Sequence, residues 1–340
     1  MGSAQQPSTW LDKRQGQLNI DIDCMDPAEA KRWFPFTPHD QTSNQRLVYE
    51  QMISTQNREL FLQAAREYKD KGREAILTRV SALLCAENID NIKERVLLQT
   101  SAFGAYDTGK VVEHARAYAR EFEKVGISKD RFCIKIPCTG PALNASPILL
   151  NEGIRTLGTT LYSLPQAIAA SQAQCLSVSP YINCKNQSPG SHIDRCQWPD
   201  VEDPALQHPM SPRTMHIQET YARLYKETGI VQPLLKPASF ISAREVMALG
   251  ELGCHHATIP EDILQQLSLL SVEANPPPGA TKTDPLSGPN WDGKFAPTSI
   301  NYLANNGAAL EKAINDIEIA EANIDQVETL SERTQGCKSY

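Results

Sequence analysis

An α/β fold closed as a (β/α)8 (TIM) barrel, with an additional C-terminal helical segment, is predicted by three observations. Apolar runs of strand length alternate with amphipathic stretches about eight times, the pattern of a parallel sheet covered by helices. No glycine-rich phosphate turn follows the first strand, where Asp23 leads into Cys24-Met25-Asp26-Pro27, so a doubly wound open sheet lacks support. The length of 340 residues, 41% of them hydrophobic, suits one barrel with additions.

Residues 1–17 are expected to be a disordered or loosely packed lead-in, residues 18–335 a single barrel unit and 336–340 a tail. Leu18–Asp23 alternates apolar and polar residues and ends in acid, as a strand with a carboxylate at its carboxyl end would. Asp26 followed by Pro27 reads as an N-cap and first helical residue. The stretch 36–44 supplies a second strand and its loop, and helices are expected over 47–52 and 58–85. From there the alternation is regular. Strands are expected over 96–101, 132–137, 156–162, 176–182, 231–237 and 256–259. The helices between them fall at 108–125, 145–151, 165–174, 213–228, 243–252 and 260–270. A long polar loop spans 185–211, a proline-rich linker 273–298, and a last helical region 298–332.

Composition narrows the function classes. A net charge of −7 with no Lys/Arg cluster argues against a nucleic-acid partner. No run of eighteen apolar residues offers a membrane span, and the polar N-terminus lacks the apolar core of a secretion signal. Nine scattered cysteines without CxxC spacing suit reduced thiols, so a cytoplasmic enzyme is expected.

One strand, Arg131-Phe132-Cys133-Ile134-Lys135-Ile136-Pro137, carries a lysine inside an apolar run. Burial on both faces strips the ammonium of water and lowers its pKa, and a neutral amine attacks carbonyls to form a Schiff base. The alternative is a half-exposed strand whose lysine snorkels to solvent. In a barrel, the carboxyl ends of the strands share one mouth. The polar residues expected there are Asp23, Asn44, Gln99, Lys135, Thr159 and Ser179, which surround the lysine with an acid, two amides and two hydroxyls. Adjacent His255 and His256 point to opposite faces of a strand, so no metal site is expected from them, and none elsewhere. His39 near the mouth is a further acid–base candidate.

These stretches together resemble the transaldolase family over roughly residues 18–335. Asp23-Cys24-Met25-Asp26 resembles its first-strand segment, His39-Asp40-Gln41-Thr42-Ser43-Asn44 its Asp-Ala-Thr-Thr-Asn motif, Ile134–Thr139 its Schiff-base strand, and Ser179-Pro180-Tyr181 its Ser-Pro-Phe. The resemblance implies that Lys135 forms an iminium with a ketone donor and that Asp23 moves the hydroxyl proton as the carbon–carbon bond breaks. It implies that Thr159 holds the water of carbinolamine dehydration and that Asn44 and Ser179 bind donor hydroxyls. Thr42 and Arg46 are weaker substrate-binding candidates: Thr42 can equally cap the next helix, and Arg46 reads more readily as a surface charge. No cofactor is implied, and a homodimer is common among relatives.

Four departures from the family pattern bear on the reaction. Gln99 stands where the family has a catalytic glutamate, and Tyr181 where it has phenylalanine. That pair resembles the fructose-6-phosphate aldolase branch, in which a tyrosine hydroxyl relays the proton. Cys184 and Ile241 stand where two phosphate-binding arginines are expected. Leu157, in place of a donor-binding asparagine, also points to a less polar substrate. The expectation is therefore a Schiff-base enzyme making or breaking carbon–carbon bonds on an unphosphorylated carbonyl compound, in a specialised biosynthetic pathway. The alternatives are a pentose phosphate pathway transaldolase moving a dihydroxyacetone unit between sugar phosphates, and a non-catalytic binding protein.

Overall fold

All pairing between the strands is parallel. The computed structural model describes residues 9–183, 202–208, 210–276 and 296–315. Its strands are β1 (Asn19–Ile22), β2 (Val96–Gln99), β3 (Phe132–Pro137), β4 (Thr156–Leu161), β5 (Ser177–Pro180), β6 (Leu234–Leu235) and β7 (His256–Ile259). β2 to β6 pair in chain order, and β1 pairs with β7, all in parallel. Two seams join these sheets. Gln41 bridges to Ile22 on one side and Val96 on the other, and the Thr258 N–H donates to the Pro237 carbonyl at 2.9 Å. The Gln41 segment therefore stands as an eighth stave and completes the ring expected of a barrel.

Alternation along the strands separates two apolar regions. Ile20, Ile22, Leu98, Ile134, Ile136, Val178, Ala257 and Ile259 face outward into the cores shared with the helices. Leu97, Cys133 and Leu157 form a small separate cluster inside the ring. On the same period, Asp21, Gln99, Lys135, Thr159, Ser179 and His256 point inward.

Several elements differ from the sequence expectation. Residues 10–15, expected in the loose lead-in, form a helix (Trp10–Gln15) with a Thr9/Asp12 capping box. Trp10 is fully buried and its Nε1–H donates to the Asn275 carbonyl at 2.8 Å, a long-range anchor that local pattern does not reveal. The single helix expected over 58–85 is two, Arg58–Tyr68 and Arg73–Ala86, because Gly72 adopts φ 85° between them. The strand expected over 231–237 shrinks to β6, flanked by Pro233 and Pro237, which have no N–H for the ladder.

The additional C-terminal helical segment is seen as Ala304–Asn315. Its left-handed turn at Asn305–Gly307 brings Gly307 against Gly140, so close that a Cβ on Gly140 would lie 2.6 Å from the Gly307 Cα. Glu311 then accepts from the Gly140 N–H at 2.6 Å, which seats this helix beside the segment leaving β3. Most of the expected loop 185–211, residues 277–295 of the linker and everything after 315 lie outside the described residues. Among the described residues, no helix is long and apolar enough to cross a membrane.

Candidate active site

β3 places Lys135 in register with Gln99 of β2 and Leu157 of β4. The side chain is 4% exposed, so the snorkelling alternative is not what the structure has. Its Nζ donates to the Thr42 Oγ1 at 3.0 Å. Burial lowers the lysine pKa; the charge of Asp23 opposes this, and that of Lys236 adds to it. An amine in that setting sheds its proton more readily than a surface lysine and is correspondingly more nucleophilic.

Asp23 lies just past β1, half-buried, with its N–H bonded to the Ile259 carbonyl at 3.0 Å. Its charge raises the pKa of both Lys135 and Tyr181. Opposite, the Thr159 and Tyr181 hydroxyls are 3.1 Å apart. Burial pushes the Tyr181 phenol up to about 12, partly offset by the Thr159 hydrogen bond, so at neutral pH it keeps its proton for donation. The Tyr181 ring rests edge-on against Tyr162, centroids 5.5 Å apart. Thr159 is aimed by an irregularity in β4: the β4–β5 register shifts between Gly158 and Leu161, and Thr160 takes φ 53°. A β-branched residue there is strained, and its position beside Thr159 puts that strain in the site.

The other candidates fall into place unequally. Gln99 and Ser179 are buried at the ends of β2 and β5. Thr42 is buried against Lys135 and does not cap the following helix. Asn44 does, accepting from the Leu47 N–H at 3.0 Å, so its carbonyl end is committed to the backbone. Arg46 is exposed and pairs with Glu50 at 2.8 Å, four residues along its own helix.

Beneath the lysine lies a second polar layer that sequence reasoning missed. Lys236, 3% exposed, donates from Nζ to Asp21 at 3.2 Å and also to Asp40. His256 Nδ1 meets Asp21 Oδ1 at 3.0 Å, and Asn19 Nδ2 reaches His256 Nε2 at 3.3 Å. His39 joins from the rim, its Nδ1 3.3 Å from Asp40 and its ring edge-on to His256. His39 thus belongs to this lower network. Asp21, His39, Asp40 and His256 have the donor types and spacing of a cation site, and the cation among them is the Lys236 ammonium. Burial opposes that charge, but the two carboxylates raise the Lys236 pKa above the ordinary lysine value. Burial likewise opposes the Asp40 charge, while His39 and Lys236 hold its pKa well below the usual carboxylate range. His255, by contrast, sits exposed and accepts from the Leu235 N–H, on the other side from His256.

A family model described as transaldolase/fructose-6-phosphate aldolase matches residues 20–290. The chain belongs to that family. The match covers β2 through β7 and all of β1 but Asn19, and it includes Asp23, Gln99, Lys135, Thr159, Tyr181 and Lys236, which makes this a barrel of the transaldolase and aldolase kind. One feature of this family member stands where the second phosphate arginine is expected. The Ile241 N–H donates to Glu245 Oε2 at 2.8 Å, and Asn183 Nδ2 donates to Glu245 Oε1 at 2.9 Å. Glu245 is buried. A carboxylate thus takes the backbone donor at that place, a poor setting for a second anion. Cys184, the other such position, lies outside the described residues. The only hint of Glu245 in the sequence is Ser242, its N-cap three residues earlier, which reads as ordinary helix capping.

Proposed function

We propose that this transaldolase-family protein is a Schiff-base aldolase acting on an unphosphorylated carbonyl compound. The observation that carries the reading is Lys135: a buried amine bonded to a neutral hydroxyl, on which the charge of Asp23 acts. Its lone pair attacks a ketone carbonyl carbon, giving a carbinolamine. Tyr181, through Thr159 and a water, protonates the departing hydroxyl, and loss of water leaves the iminium. Asp23 takes the proton from the β-hydroxyl. The carbon–carbon bond then breaks, an aldehyde leaves, and the electron pair passes into the iminium to give an enamine. Protonation of that enamine and hydrolysis of the resulting imine release the donor and restore the amine. Gln99 has no proton to exchange at neutral pH, so the tyrosine phenol carries the acid–base work and net aldol chemistry is favoured over transfer between sugars.

Glu245 beside Ile241 supports the unphosphorylated substrate, since the backbone N–H is spent on a carboxylate. Leu157, next to Lys135 on the interior face, supports a less polar donor. A specialised biosynthetic pathway is the setting this combination suits.

The test is reductive trapping. The protein is incubated with borohydride and, separately, dihydroxyacetone, fructose 6-phosphate or a small aldehyde, and the intact chain is weighed. Adduct formation with the unphosphorylated carbonyls is expected, with no advantage for the phosphate. Trapping that requires the phosphate would favour the sugar-phosphate reaction. Absence of any adduct, with Lys135→Met folding like the parent, would overturn catalysis altogether.

A further inference from the structure

We propose that Gln166 is a positioning residue for the proton relay: its side-chain amide ties the exit of β3 to the bend that ends β4, and so holds the Thr159 hydroxyl against Tyr181. The inference rests on the reading of Tyr181 and Thr159 as the relay of a Schiff-base reaction.

Gln166 lies in the first turn of the helix Leu164–Gln172, where its oxygen has an ordinary use. Ser163 and Gln166 form a capping box, in which the Gln166 Oε1 accepts from the Ser163 N–H at 3.1 Å. A glutamate would serve that cap equally well. The amide nitrogen is what the cap does not use. Nε2 donates to the Cys138 carbonyl and to the Thr160 carbonyl, each at 3.1 Å, and Oε1 also accepts from the Tyr162 N–H at 2.9 Å. Gln166 is buried, where a lost hydrogen-bond partner costs more than it does in water.

What the amide grips is the strained corner of the site. Thr160 takes φ 53°, a conformation that a β-branched residue keeps only where its surroundings impose it. Gln166 meets the backbone at that residue and again two residues on, at the Thr160 carbonyl and the Tyr162 N–H. Thr159 is fixed by the same corner: its carbonyl accepts from the Thr160 hydroxyl at 2.6 Å and from the Cys138 N–H at 2.9 Å. Cys138, three residues past Lys135, is therefore bonded to Thr159 through its N–H and to Gln166 through its carbonyl.

Tyr181 leans on this corner in three ways. Its hydroxyl is 3.1 Å from that of Thr159, its N–H donates to the Leu161 carbonyl at 3.0 Å, and its ring rests edge-on against Tyr162. These contacts come from residues 159, 161 and 162, the stretch that Gln166 holds at 160 and 162. Releasing Nε2 lets Thr160 relax toward the extended region, which turns the Thr159 hydroxyl away from the phenol. Lys135 keeps its own partner, Thr42, on the other side of β3.

Aldol addition of dihydroxyacetone to glycolaldehyde, and borohydride trapping of dihydroxyacetone, are measured on the parent, Gln166→Met, Tyr181→Phe and the double variant. Crystal structures of the parent and Gln166→Met accompany them. Gln166→Met is expected to lower aldol turnover roughly tenfold, but by less than about twofold once Tyr181 is already phenylalanine. Imine trapping should slow far less than turnover. In the crystal, the Thr159 and Tyr181 hydroxyls should part beyond about 3.5 Å. Should Gln166→Met fail to fold, Gln166→Glu keeps the cap through its oxygens and loses only the donating nitrogen, and the same results are expected of it. An equal factor in both backgrounds, as a purely structural role would give, or a Thr159–Tyr181 bond intact in the folded variant, overturns the proposal. The structures decide alone if a parent that traps dihydroxyacetone does not add it to this aldehyde. No parent adduct sinks the Schiff-base reading and this role with it, whereas a trapped parent with an intact Thr159–Tyr181 bond in the variant sinks the role of Gln166 alone.

Discussion

Lys135 and Lys236 lie inside the same barrel, 4% and 3% exposed, yet their surroundings are opposite. Lys236 is gripped by two carboxylates, and its pKa rises; Lys135 donates to a threonine hydroxyl, and its pKa falls. Burial works against the charge on both. What differs is the bonding seen at each ammonium: two carboxylates at Lys236, and a neutral threonine hydroxyl at Lys135. The comparison teaches that a buried lysine is a structural ion or a nucleophile according to its partners, one residue pair at a time.

The largest effect separating the two concerns stability. Lys236→Met leaves Asp21 and Asp40 buried without their cation and is expected to cost about 3–5 kcal/mol in urea unfolding at neutral pH. Lys135→Met keeps the methylene volume and removes a charge that burial disfavours, so it should stay within about 1 kcal/mol of the parent. Equal losses would erase the distinction.

Next comes the proton chemistry around Lys135. Tyr181→Phe removes the phenol 3.1 Å from Thr159 and is expected to slow net aldol turnover by roughly 10²-fold while slowing imine trapping far less. Loss of both steps by the same factor would deny Tyr181 its relay.

Smaller, but of opposite sign at the two lysines, is the alkaline pH dependence of stability. Lys236 has a raised folded pKa, so its contribution is complete below the unfolded value of about 10.4 and fades as pH climbs through the folded value. Lys135 has a lowered folded pKa. Between that value and about 10.4 the unfolded chain binds the extra proton, so this group makes stability rise with pH. Urea midpoints from pH 7 upward should therefore lose a rising component in Lys135→Met. At acid pH, Asp40, with its depressed pKa, makes stability fall as pH drops below about 4, and Asp40→Asn should flatten that limb. A limb of unchanged steepness in the folded variant would contradict the Asp40 assignment.

Much of this was legible in the sequence, for identifiable reasons. Strand and helix periodicity exposed the barrel, and a charge in the apolar run Phe132–Pro137 exposed Lys135. The same signal is present at Lys236, after Leu234-Leu235, but β6 is short and bounded by prolines, so it reads as a weak strand. Asp21 lies two residues before Asp23 on the same face, but its partners come from residues 39–40, 236 and 256. Such convergence is set by ring closure, which no local window contains. Asn44 was legible as a polar group at a strand end, while its use as a helix cap depends on backbone direction. The inward-facing positions that the sequence anticipated are those that follow from the two-residue strand period. Those it missed depend on which strands end up opposite one another.

The central proposal is that Lys135, and not Lys236, is the nucleophile. The most direct measurement is peptide mapping after borohydride reduction with dihydroxyacetone. The account predicts a single reduced adduct on Lys135 and unmodified Lys236, with Lys135→Met giving none. An adduct on Lys236, or one that persists in folded Lys135→Met, would contradict it.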